Sequence, residues 1–551
     1  MSKYLAFFLV ACASTLFAQD LPVLKLEGVR EAAARIPMRD GTALSAYLYF
    51  PEGEGPWPVL FEQRYAPLTG TASRKNSADL ARRGYVVAMV SFRGSQQSEG
   101  RYVGYRALAW GEQKDGYDTC EWLAQQPWSS GKVGSFGSSQ GGFAQNFLAV
   151  TRPPHLAAQY MVDTGLSLFQ EGYRIGGVTR PARFAEFGAN SRNPGDNAAL
   201  LEEWDAHPNY DDYWRDEDCS LHFAQMDVPC FTIGSWYDFM VQGSVQSFIG
   251  RQHQGGPNSI GRQQLLLGPW LHGRLNKGTK VGALVYPDNA AWPELDHMTR
   301  WFDHWLKGAA NGVEKEPAVR YYVMGAAGEP DAPGNQWREA ADWPPASTPA
   351  SFYLAEDGLL ARVAPTAASS GTSYFCDPLK PMSIPGRGFP GAQDSRPLEE
   401  QAEVRVWSTE PLSSPLEITG EIEAEVWVRS TVSDTDFILR VSDVYPDGRS
   451  MLLMDYPLRA RYREGFDRQV LLAPGVPARL RWHIGWTSLV LNQGHRLRVV
   501  ITSTGAPLYE PNSQTGGPQT RDWLKETKAG THTILHEKEH PSRLLLPIRK
   551  G

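Results

Sequence analysis

The spacing of apolar and polar positions changes along the chain, and its first part predicts alternating strands and helices. Between Leu24 and about Val150 the apolar runs VLFEQRY, VVAMVSF and KVGSF are separated by the helix-like stretches ADLARRGY and DGYDTCEWLAQQPW. Alternation of this kind is typical of a mostly parallel sheet with crossover helices. Residues 21–150 are therefore predicted to form the first part of an α/β domain.

The α/β pattern is interrupted once and then resumes. Residues 151–225 contain polar helical stretches and many aromatic side chains but no clear strands, which predicts an inserted helical cap. The strand-like runs VPCFTIGSW and QQLLLGPW return over residues 226–340. In the same part HMTRWFDHWLKG predicts an amphipathic helix with Trp301 and Trp305 one turn apart.

The last third of the chain has a different period. After the proline-rich DWPPASTPA, the segments EITGEIEAEVWVRS, DFILRVSDVYPDGRS and RLRVVITS alternate with a period of two and are separated by turn residues. Residues 341–551 are therefore predicted to form an all-β sandwich.

The N-terminus predicts export. MSKYLAFFLVACASTLFAQD has one lysine, an apolar run and small residues that allow cleavage after Ala13 or Ala18, so residues 1–18 are interpreted as a signal peptide of a periplasmic or secreted protein. LVAC also fits a lipoprotein signal, in which Cys12 would be lipidated and anchored to the membrane. No stretch reaches the ~20 apolar residues of a transmembrane helix.

The composition of the chain limits the classes of partner and cofactor that we expect. The 551 residues carry a formal net charge of -7 without acidic or basic runs, which excludes the electrostatic footprint of a nucleic-acid-binding protein. The cysteines other than Cys12 have no metal-type spacing, and scattered buried thiols are favoured over a pairing of Cys219 with Cys230. We expect no metal and no cofactor, a small-molecule substrate, and a chain that is compatible with a homo-oligomer.

The stretch GKVGSFGSSQGGF contains three serines, of which one fits a nucleophile. The pattern G-x-S-x-G needs small residues two positions before and after the serine, because the chain turns sharply from strand to helix. Ser135 and Ser138 have larger neighbours at these positions, whereas Ser139 lies between Gly137 and Gly141. A plain Gly-Ser turn is the competing interpretation, and the strand before Ser139 and the helix-like FAQNFLAV after it argue against that.

A serine nucleophile needs an imidazole base and a carboxylate that orients it. His272 in LLLGPWLHGRL and Asp238 in VPCFTIGSWYDFM both follow predicted strand ends, where a parallel sheet gathers its functional loops. The chain order Ser139, Asp238, His272 fits this class of motif. Taken alone, His272 is also explained as a surface or packed histidine, and Asp238 as a turn residue.

The sequence also contains a motif that resembles a zinc site. HEKEH at residues 536–540 matches the zinc-protease pattern H-E-x-x-H, which needs a helix to bring both imidazoles to one face. Here the pattern follows strand-like THTIL and is cut by Pro541. We therefore expect no zinc site at this position.

Longer segments carry a specific resemblance. DGYDTCEWLAQQPWSSGKVGSFGSSQGG, SWYD, GPWLHG, WFDHWLKG, DVYPDGRS and GHRLRVVITS resemble the family of cocaine esterase, α-amino-acid ester hydrolase and glutaryl-cephalosporin acylase, which is related to the Xaa-Pro dipeptidyl-peptidases. The resemblance covers nearly the whole exported chain, in order. It implies an α/β-hydrolase domain with a helical cap, followed by a C-terminal jelly roll of the galactose-binding-like type.

The resemblance also implies roles for individual residues. Ser139 is implied as nucleophile, Asp238 as acid and His272 as base. The oxyanion hole of the family implies the backbone N–H of Gln140 and the hydroxyl of Tyr65 in VLFEQRYAP, and a neutral phenol suits this task. The residues around the acid are candidates for the lining of the substrate pocket: Trp236, Tyr237 and Phe239.

Two positions depart from the family pattern. Relatives commonly have tyrosine where Gln140 stands, so we expect the lining of the pocket, and with it the acyl preference, to differ. Relatives usually have aspartate where Ser91 precedes Phe92, Arg93 and Gly94, which predicts that Arg93 lacks a buried charge partner.

These residues and the resemblance lead to three competing hypotheses about function. The leading hypothesis is a serine hydrolase of carboxylic esters that works through an acyl-enzyme. The alternative is an amide-cleaving acylase or a dipeptidyl-peptidase, for which Glu171 and the other carboxylates of the cap are candidates to bind the substrate's ammonium group. A surface protein that binds carbohydrate with an inert hydrolase core is the third, and the intact Ser-Asp-His order argues against it.

Overall fold

The computed structural model describes residues 21–181, 190–273, 275, 278–384, 391–518 and 525–549. The predicted signal peptide and Cys12 lie outside the described residues. The described chain forms an α/β part built on one mixed sheet and a C-terminal part built on two antiparallel sheets.

The α/β sheet has the order β1-β2-β4-β3-β5-β6-β9-β10-β13-β14. The strands from β4 to β13 in this order run parallel, and β1, β2 and β14 complete its edges in antiparallel pairs. Central strands such as β4, VVAMVS, are buried along their whole length because helices cover both faces. The strands are β1 Arg30–Pro37, β2 Ala43–Phe50, β3 Trp57–Arg64, β4 Val86–Ser91, β5 Ser129–Ser138, β6 Leu156–Val162, β9 Cys230–Ser235, β10 Gln263–Gly268, β13 Val319–Val323 and β14 Gln336–Ala340.

Helices form a layer on each face of this sheet. On one face, α1 and α7 share an apolar cluster, and on the other, α2 and α3 pack beside α6. The predicted amphipathic helix is confirmed as α7, which buries Trp301 and Phe302. The helices are α1 Thr71–Ala81, α2 Asp115–Ala124, α3 Gln140–Val150, α6 Val241–Gln254 and α7 Glu294–Lys307.

The segment between β6 and β9 is inserted into the α/β part and is not purely helical. It contains a π-helix at Leu168–Tyr173 and the short hairpin β7 Arg174–Ile175 and β8 Val178–Thr179, followed by α4 Pro194–Ala206 and α5 Asp212–Arg215. The aromatic side chains noted in the sequence form its core, where Tyr173 packs on Trp204 with ring centroids 3.8 Å apart.

The C-terminal part consists of two antiparallel sheets. One has the order β16-β15-β25-β19-β24-β17, with β22 also paired to β19, and the other the order β18-β23-β20-β21. Their strands are β15 Thr348–Leu354, β16 Leu360–Ala361, β17 Gly371–Cys376, β18 Arg405–Ser408, β19 Leu416–Ser430, β20 Asp436–Val444, β21 Ser450–Arg459, β22 Ala478–Leu491, β23 Arg496–Thr502, β24 Gly530–Leu535 and β25 Arg543–Arg549. The C-terminal part also contains the short helix α8 Arg396–Glu399, and the α/β part contains the short strands β11 Lys280–Val281 and β12 Leu284–Val285.

The two parts share one apolar core. Trp236 of the α/β part packs near Trp343, with ring centroids 5.8 Å apart, and Trp343 packs near Trp486 of β22 at 6.2 Å. The backbone of Met324 also exchanges hydrogen bonds with Ser488 and Val490. Because apolar packing and backbone hydrogen bonds act together here, the C-terminal part forms a fixed wall beside the α/β domain.

The described residues also bear on the expectations about cysteine pairing and membrane-spanning helices. Its cysteines, Cys120, Cys219, Cys230 and Cys376, are buried free thiols, so Cys219 and Cys230 are not paired. Among the described residues, no helix is both long and apolar enough to cross a bilayer.

A buried histidine joins the two parts electrostatically. His495 lies between two carboxylates: its Nδ1 is 2.7 Å from Asp443 of β20, and its Nε2 is 3.0 Å from Glu329 in the loop after β13. Burial opposes the charge on the imidazole, but Asp443 and Glu329 outweigh burial and raise the pKa of His495. A histidine whose folded pKa is raised contributes stability below its unfolded pKa, and this contribution is lost as pH rises through the folded value.

We therefore expect His495→Gln to lower the free energy of unfolding by about 1–3 kcal/mol at pH 6, and by less at pH 9, because the imidazolium–carboxylate bonds exist only at the lower pH. Urea unfolding at both pH values measures this. His253→Gln is the matched control, because His253 and Asp342 are both half exposed and such pairs contribute little. An equal loss at both pH values for His495→Gln would contradict the charged pair.

Candidate active site

Ser139 occupies a strained turn between β5 and α3. Its backbone has φ +55° and ψ −116°, its N–H donates to Val162 O at 3.0 Å, and its carbonyl accepts the N–H of Phe143 at 2.9 Å. A non-glycine residue in this region costs about 1–3 kcal/mol and persists only where its surroundings enforce it. The strain thus lies at the serine that the sequence pattern selects.

The two glycines of the motif are required by one neighbouring side chain. A Cβ at Gly137 would lie 3.1 Å from Glu62 Cγ, and a Cβ at Gly141 would lie 2.8 Å from Glu62 Oε1. Gly137 also has φ +143°, which side-chain-bearing residues rarely adopt. Burial raises the pKa of Glu62 at the end of β3, while Arg64 opposes this shift. The turn therefore closes over a buried carboxyl that the sequence analysis did not single out.

The other two serines have different positions. The Ser135 hydroxyl is buried in the sheet, where it donates to Gln145 Oε1 at 3.0 Å and accepts from Gln159 at 3.0 Å. Ser138 is the last residue of β5. Neither lies at the turn, so Ser139 remains the candidate nucleophile of this stretch.

Asp238 and His272 are brought together as the sequence predicts. They follow β9 and β10, which are adjacent parallel strands, and His272 Nδ1 lies 2.9 Å from Asp238 Oδ2. The Asp238 side chain is fully buried and His272 is 16% exposed. A carboxylate at Nδ1 favours the tautomer that donates from this nitrogen and leaves Nε2 as the basic atom. Ser139 belongs to the same carboxyl edge, since β5, β6, β9 and β10 are consecutive in the sheet.

Gln140 connects the turn at Ser139 to Tyr65. The Gln140 side-chain oxygen accepts the N–H groups of Tyr65 at 3.1 Å and Ala66 at 2.9 Å. Tyr65 follows β3, and its buried ring packs edge-on against Phe92, with centroids 5.8 Å apart. The Gln140 amide is thus bound to the loop of Tyr65, and the difference in pocket lining and acyl preference stays a prediction.

The three aromatic candidates border a cavity of about 80 Å³ beside Asp238. Trp236 donates from Nε1 to Tyr322 O at 2.9 Å, and the Tyr237 hydroxyl lies 2.7 Å from that of Tyr286. Phe239 stacks on His272, with ring centroids 5.8 Å apart. Met454, His483 and Trp486 of the C-terminal part form the facing wall, which the sequence analysis did not anticipate.

Arg93 has a buried partner, Asp115, and a second, exposed partner, Asp40. It binds Asp115 in two hydrogen bonds of 3.0 and 2.7 Å, and its Nη1 lies 2.7 Å from Asp40. The prediction of a missing partner is therefore wrong. Carboxylates from α2 and from the β1–β2 turn take the place of one from β4, and the motif around Arg93 does not show this because both residues lie outside it.

The Glu171 carboxyl is hydrogen-bonded to backbone N–H groups. Its Oε2 accepts the N–H groups of Leu166 at 2.5 Å and Ser167 at 3.1 Å, and burial raises its pKa to about 8. This carboxyl stabilises the entry to the inserted segment, which weakens it as a candidate to bind an ammonium group.

A second acidic residue escaped the sequence analysis. Asp163 directly follows β6, has φ +48° and is fully buried, and its Oδ2 accepts the N–H of Gly273 at 2.6 Å. Asp163, Asp238 and His272 are the described residues whose grouping could hold a metal ion, with donor atoms within 4.8 Å of one another. The rule that selected Asp238, a carboxylate just past a strand end, would also have selected Asp163.

The HEKEH segment forms a turn rather than a helix, as predicted. His536 follows β24, and its two ring nitrogens each lie 2.9 Å from a hydroxyl, that of Ser370 and that of Thr372. The two histidines of the pattern therefore do not share a helical face.

Comparisons with known proteins agree with this architecture. Residues 40–195 and 182–274 match the family model described as X-Pro dipeptidyl-peptidase (S15 family), and residues 311–545 match the X-Pro dipeptidyl-peptidase C-terminal non-catalytic domain. Cocaine esterase from Rhodococcus sp. (strain MB1 Bresler) is 30% identical, over 94% of this chain and 98% of its own.

Two solved structures share the fold. An α-amino acid ester hydrolase superimposes with a TM-score of 0.84 at 23% identity, over 97% of this chain and 100% of its own. An aminopeptidase from a marine sediment archaeon, a member of the Thaumarchaeota, superimposes with a TM-score of 0.84 at 24% identity, over 98% and 100%. These structures share the fold, and the sequence match to cocaine esterase together with the S15 model shows that this chain is a hydrolase and belongs to the serine hydrolase family of cocaine esterase and the S15 X-Pro dipeptidyl-peptidases.

Proposed function

We propose that this hydrolase cleaves carboxylic esters through an acyl-enzyme formed on Ser139. The observation that carries the proposal is the hydrogen-bonded pair of Asp238 and His272 at the sheet edge where Ser139 lies in its strained turn. Cocaine esterase, the relative at 30% identity, carries an ester substrate in its name, and this supports ester cleavage.

The proposed reaction has two halves. Ser139 Oγ attacks the carbonyl carbon while its proton passes to His272 Nε2, and Asp238 stabilises the resulting imidazolium. The tetrahedral intermediate collapses, the alcohol takes the proton from Nε2, and the acyl group remains on Ser139. Water then repeats the sequence: it loses a proton to Nε2, attacks the acyl carbon and releases the acid, and Ser139 regains its proton.

Two donors are proposed for the negative charge on the intermediate. The N–H of Gln140 is at the N-terminus of α3, where helix dipoles favour an anion. The second is the Tyr65 hydroxyl, which donates while neutral. The bonds from Tyr65 and Ala66 to the Gln140 side chain support this arrangement, because they hold the tyrosine loop against the turn that bears the nucleophile.

The domain roles and location are part of the proposal. We assign residues 341–551 to the jelly-roll, galactose-binding-like class on their two antiparallel sheets, and residues 151–225 to a cap over the site. Residues 1–18 are proposed to direct export to the periplasm or the medium, with lipidation at Cys12 as the alternative.

We expect a fluorophosphonate probe to label Ser139 and Ser139→Ala to lose labelling and at least about 10⁴-fold in kcat, with its fold intact, because only one oxygen is removed. Peptide mapping and p-nitrophenyl ester hydrolysis measure this, and Ser138→Ala is the matched control. Labelling at Ser138 would contradict the assignment. Faster turnover of Xaa-Pro p-nitroanilides than of esters would favour the amide-cleaving alternative.

The kcat/KM profile is expected to fall on the acid side with a midpoint in the range of a histidine, because a protonated base does not accept the serine proton. His272→Ala should remove most of the activity and this limb. His155→Ala is the control, since His155 binds Glu121 at 2.7 Å at the start of β6, the opposite edge of the sheet. Near-normal turnover of His272→Ala would identify another residue as the base.

For Tyr65→Phe we expect kcat to fall by about 10²–10³, with little change in KM, because the donor acts mainly in the transition state. Steady-state kinetics and thermal unfolding measure both effects. Tyr85→Phe is the control: it removes a hydroxyl that donates to Asp303 at 2.6 Å, which should affect stability and not kcat. Wild-type kinetics in a folded Tyr65→Phe protein would reject the role.

A further inference from the structure

Asp163 lies between the strands that carry the proposed catalytic groups. Its strand, β6, pairs with β5, which ends before Ser139, and with β9, which ends before Asp238. The Asp163 N–H donates to Ile233 O at 2.9 Å and continues the ladder toward β9, while its positive φ turns the side chain out of the strand direction. The side chain is therefore positioned by the sheet itself and not by a loose loop.

One oxygen of Asp163 supports the turn that bears His272. Its Oδ2 accepts the N–H of Gly273, the next residue along, at 2.6 Å. A short bond from a backbone N–H to a buried carboxyl fixes the direction in which that turn leaves β10. The imidazole is consequently oriented from two sides, by Asp238 at Nδ1 and by Asp163 through the backbone.

The remaining oxygens of the two acids lack a partner of ordinary hydrogen-bond geometry. Asp163 Oδ1 and Asp238 Oδ1 are both buried, and the nearest hydroxyl that interacts with the Asp163 carboxyl is that of Ser235. The donor atoms of Asp163, Asp238 and His272 lie within 4.8 Å of one another. Two ionised carboxylates this close together, shielded from water, repel each other strongly, and one proton on the pair removes the repulsion and supplies a donor between the two acids.

We propose that Asp163 is a positioning residue of this site: a neutral carboxylic acid that shares its proton with Asp238 through the two Oδ1 atoms and holds the His272 turn with Oδ2. The inference rests on the proposed function, because it assigns to Asp238 and His272 their roles in proton transfer. Asp163 does not touch the reacting atoms and acts through these two residues.

The electrostatic surroundings support the neutral acid. Burial and the charge of Asp238 raise the pKa of Asp163 to about 7, although His272 and the Gly273 N–H oppose the shift. The titratable groups facing Asp163 are Asp238, from the loop after β9, and His272, from the loop after β10; Ser235 contributes only a hydroxyl. Glu171 of the inserted segment interacts with Asp238.

A consequence follows for the pH dependence of the reaction. Asp163 ionises in the same pH range as a histidine, and its negative charge stabilises an imidazolium nearby. The two titrations are therefore coupled, and part of the first proton lost comes from Asp163 rather than from the base. The acid limb of kcat/KM should lie at higher pH, and be broader, than it would with a permanently neutral residue at position 163.

The test compares Asp163→Asn with Asp163→Ala. The asparagine amide can accept from Gly273 and donate to Asp238, as the neutral acid does, whereas alanine removes both bonds. We expect Asp163→Ala to lose about 10–100-fold in kcat and Asp163→Asn to lose much less. We also expect the acid limb of Asp163→Asn to move down by roughly 0.5 pH unit or more and to fit a single ionisation.

The matched control is Glu403→Gln, the same acid-to-amide change at a buried carboxyl of the C-terminal part that accepts the N–H groups of Ser503 and Thr504. It should lower thermal stability and leave the acid limb in place. An unchanged limb in folded Asp163→Asn would overturn the inference. So would equal losses of kcat in Asp163→Asn and Asp163→Ala at equal stability, since a charge would then be required.

Infrared titration of the wild-type protein keeps the inference testable if the variants do not fold. With ¹³C-carboxyl-labelled aspartate, the carbonyl signal of a buried protonated aspartic acid should persist to about pH 7 and disappear above it. Labelling aspartate alone excludes the signals of the buried Glu62 and Glu171. Absence of such a signal at pH 6 would overturn the inference, while loss of labelling at Ser139 would instead count against the proposed function.

Discussion

The site depends on one constraint: the chain must turn from β5 into α3 within a single residue, and that residue is Ser139. The turn is held by the bonds from Ser139 N–H to Val162 O and from Phe143 N–H to Ser139 O, and it closes over Glu62, which a Cβ at Gly137 or Gly141 would crowd. Strain of about 1–3 kcal/mol at this point is sustained by a sheet buried on both faces. The serine is consequently presented at the sheet edge without any flexible loop.

Several buried carboxyl groups lie near this edge of the sheet, and loss of contact with water affects their protonation state. Asp238 is paired with His272, whereas Asp163 and Glu171 take up backbone N–H groups, and burial raises the pKa of both. While Asp163 is neutral, it stabilises the backbone without adding net charge next to the imidazole. Above about pH 7 it ionises and adds a second negative charge beside that of Asp238.

The C-terminal part is integral to the site. The aromatic contacts from Trp236 through Trp343 to Trp486 join both parts in one apolar core, and Met454 and His483 face the cavity beside Asp238. The buried His495 links the parts again through Asp443 and Glu329. Because the cavity is lined by residues of both parts, its shape is set by both parts together.

The sequence by itself determined the alternation of elements, the serine at the turn and the acid and histidine past two strand ends, because period, glycine spacing and strand ends are local properties of the chain. Only the tertiary structure decided which groups meet across the sheet: Asp163 with the turn of His272, Gln140 with the loop of Tyr65, and Arg93 with Asp115 and Asp40. These contacts join residues distant in the chain, and their geometry depends on strand order, positive φ angles and burial. A local pattern contains none of these quantities. The Arg93 prediction therefore failed and the partner of the Gln140 side chain was not foreseen, while the selection of Ser139 agrees with its place at the turn.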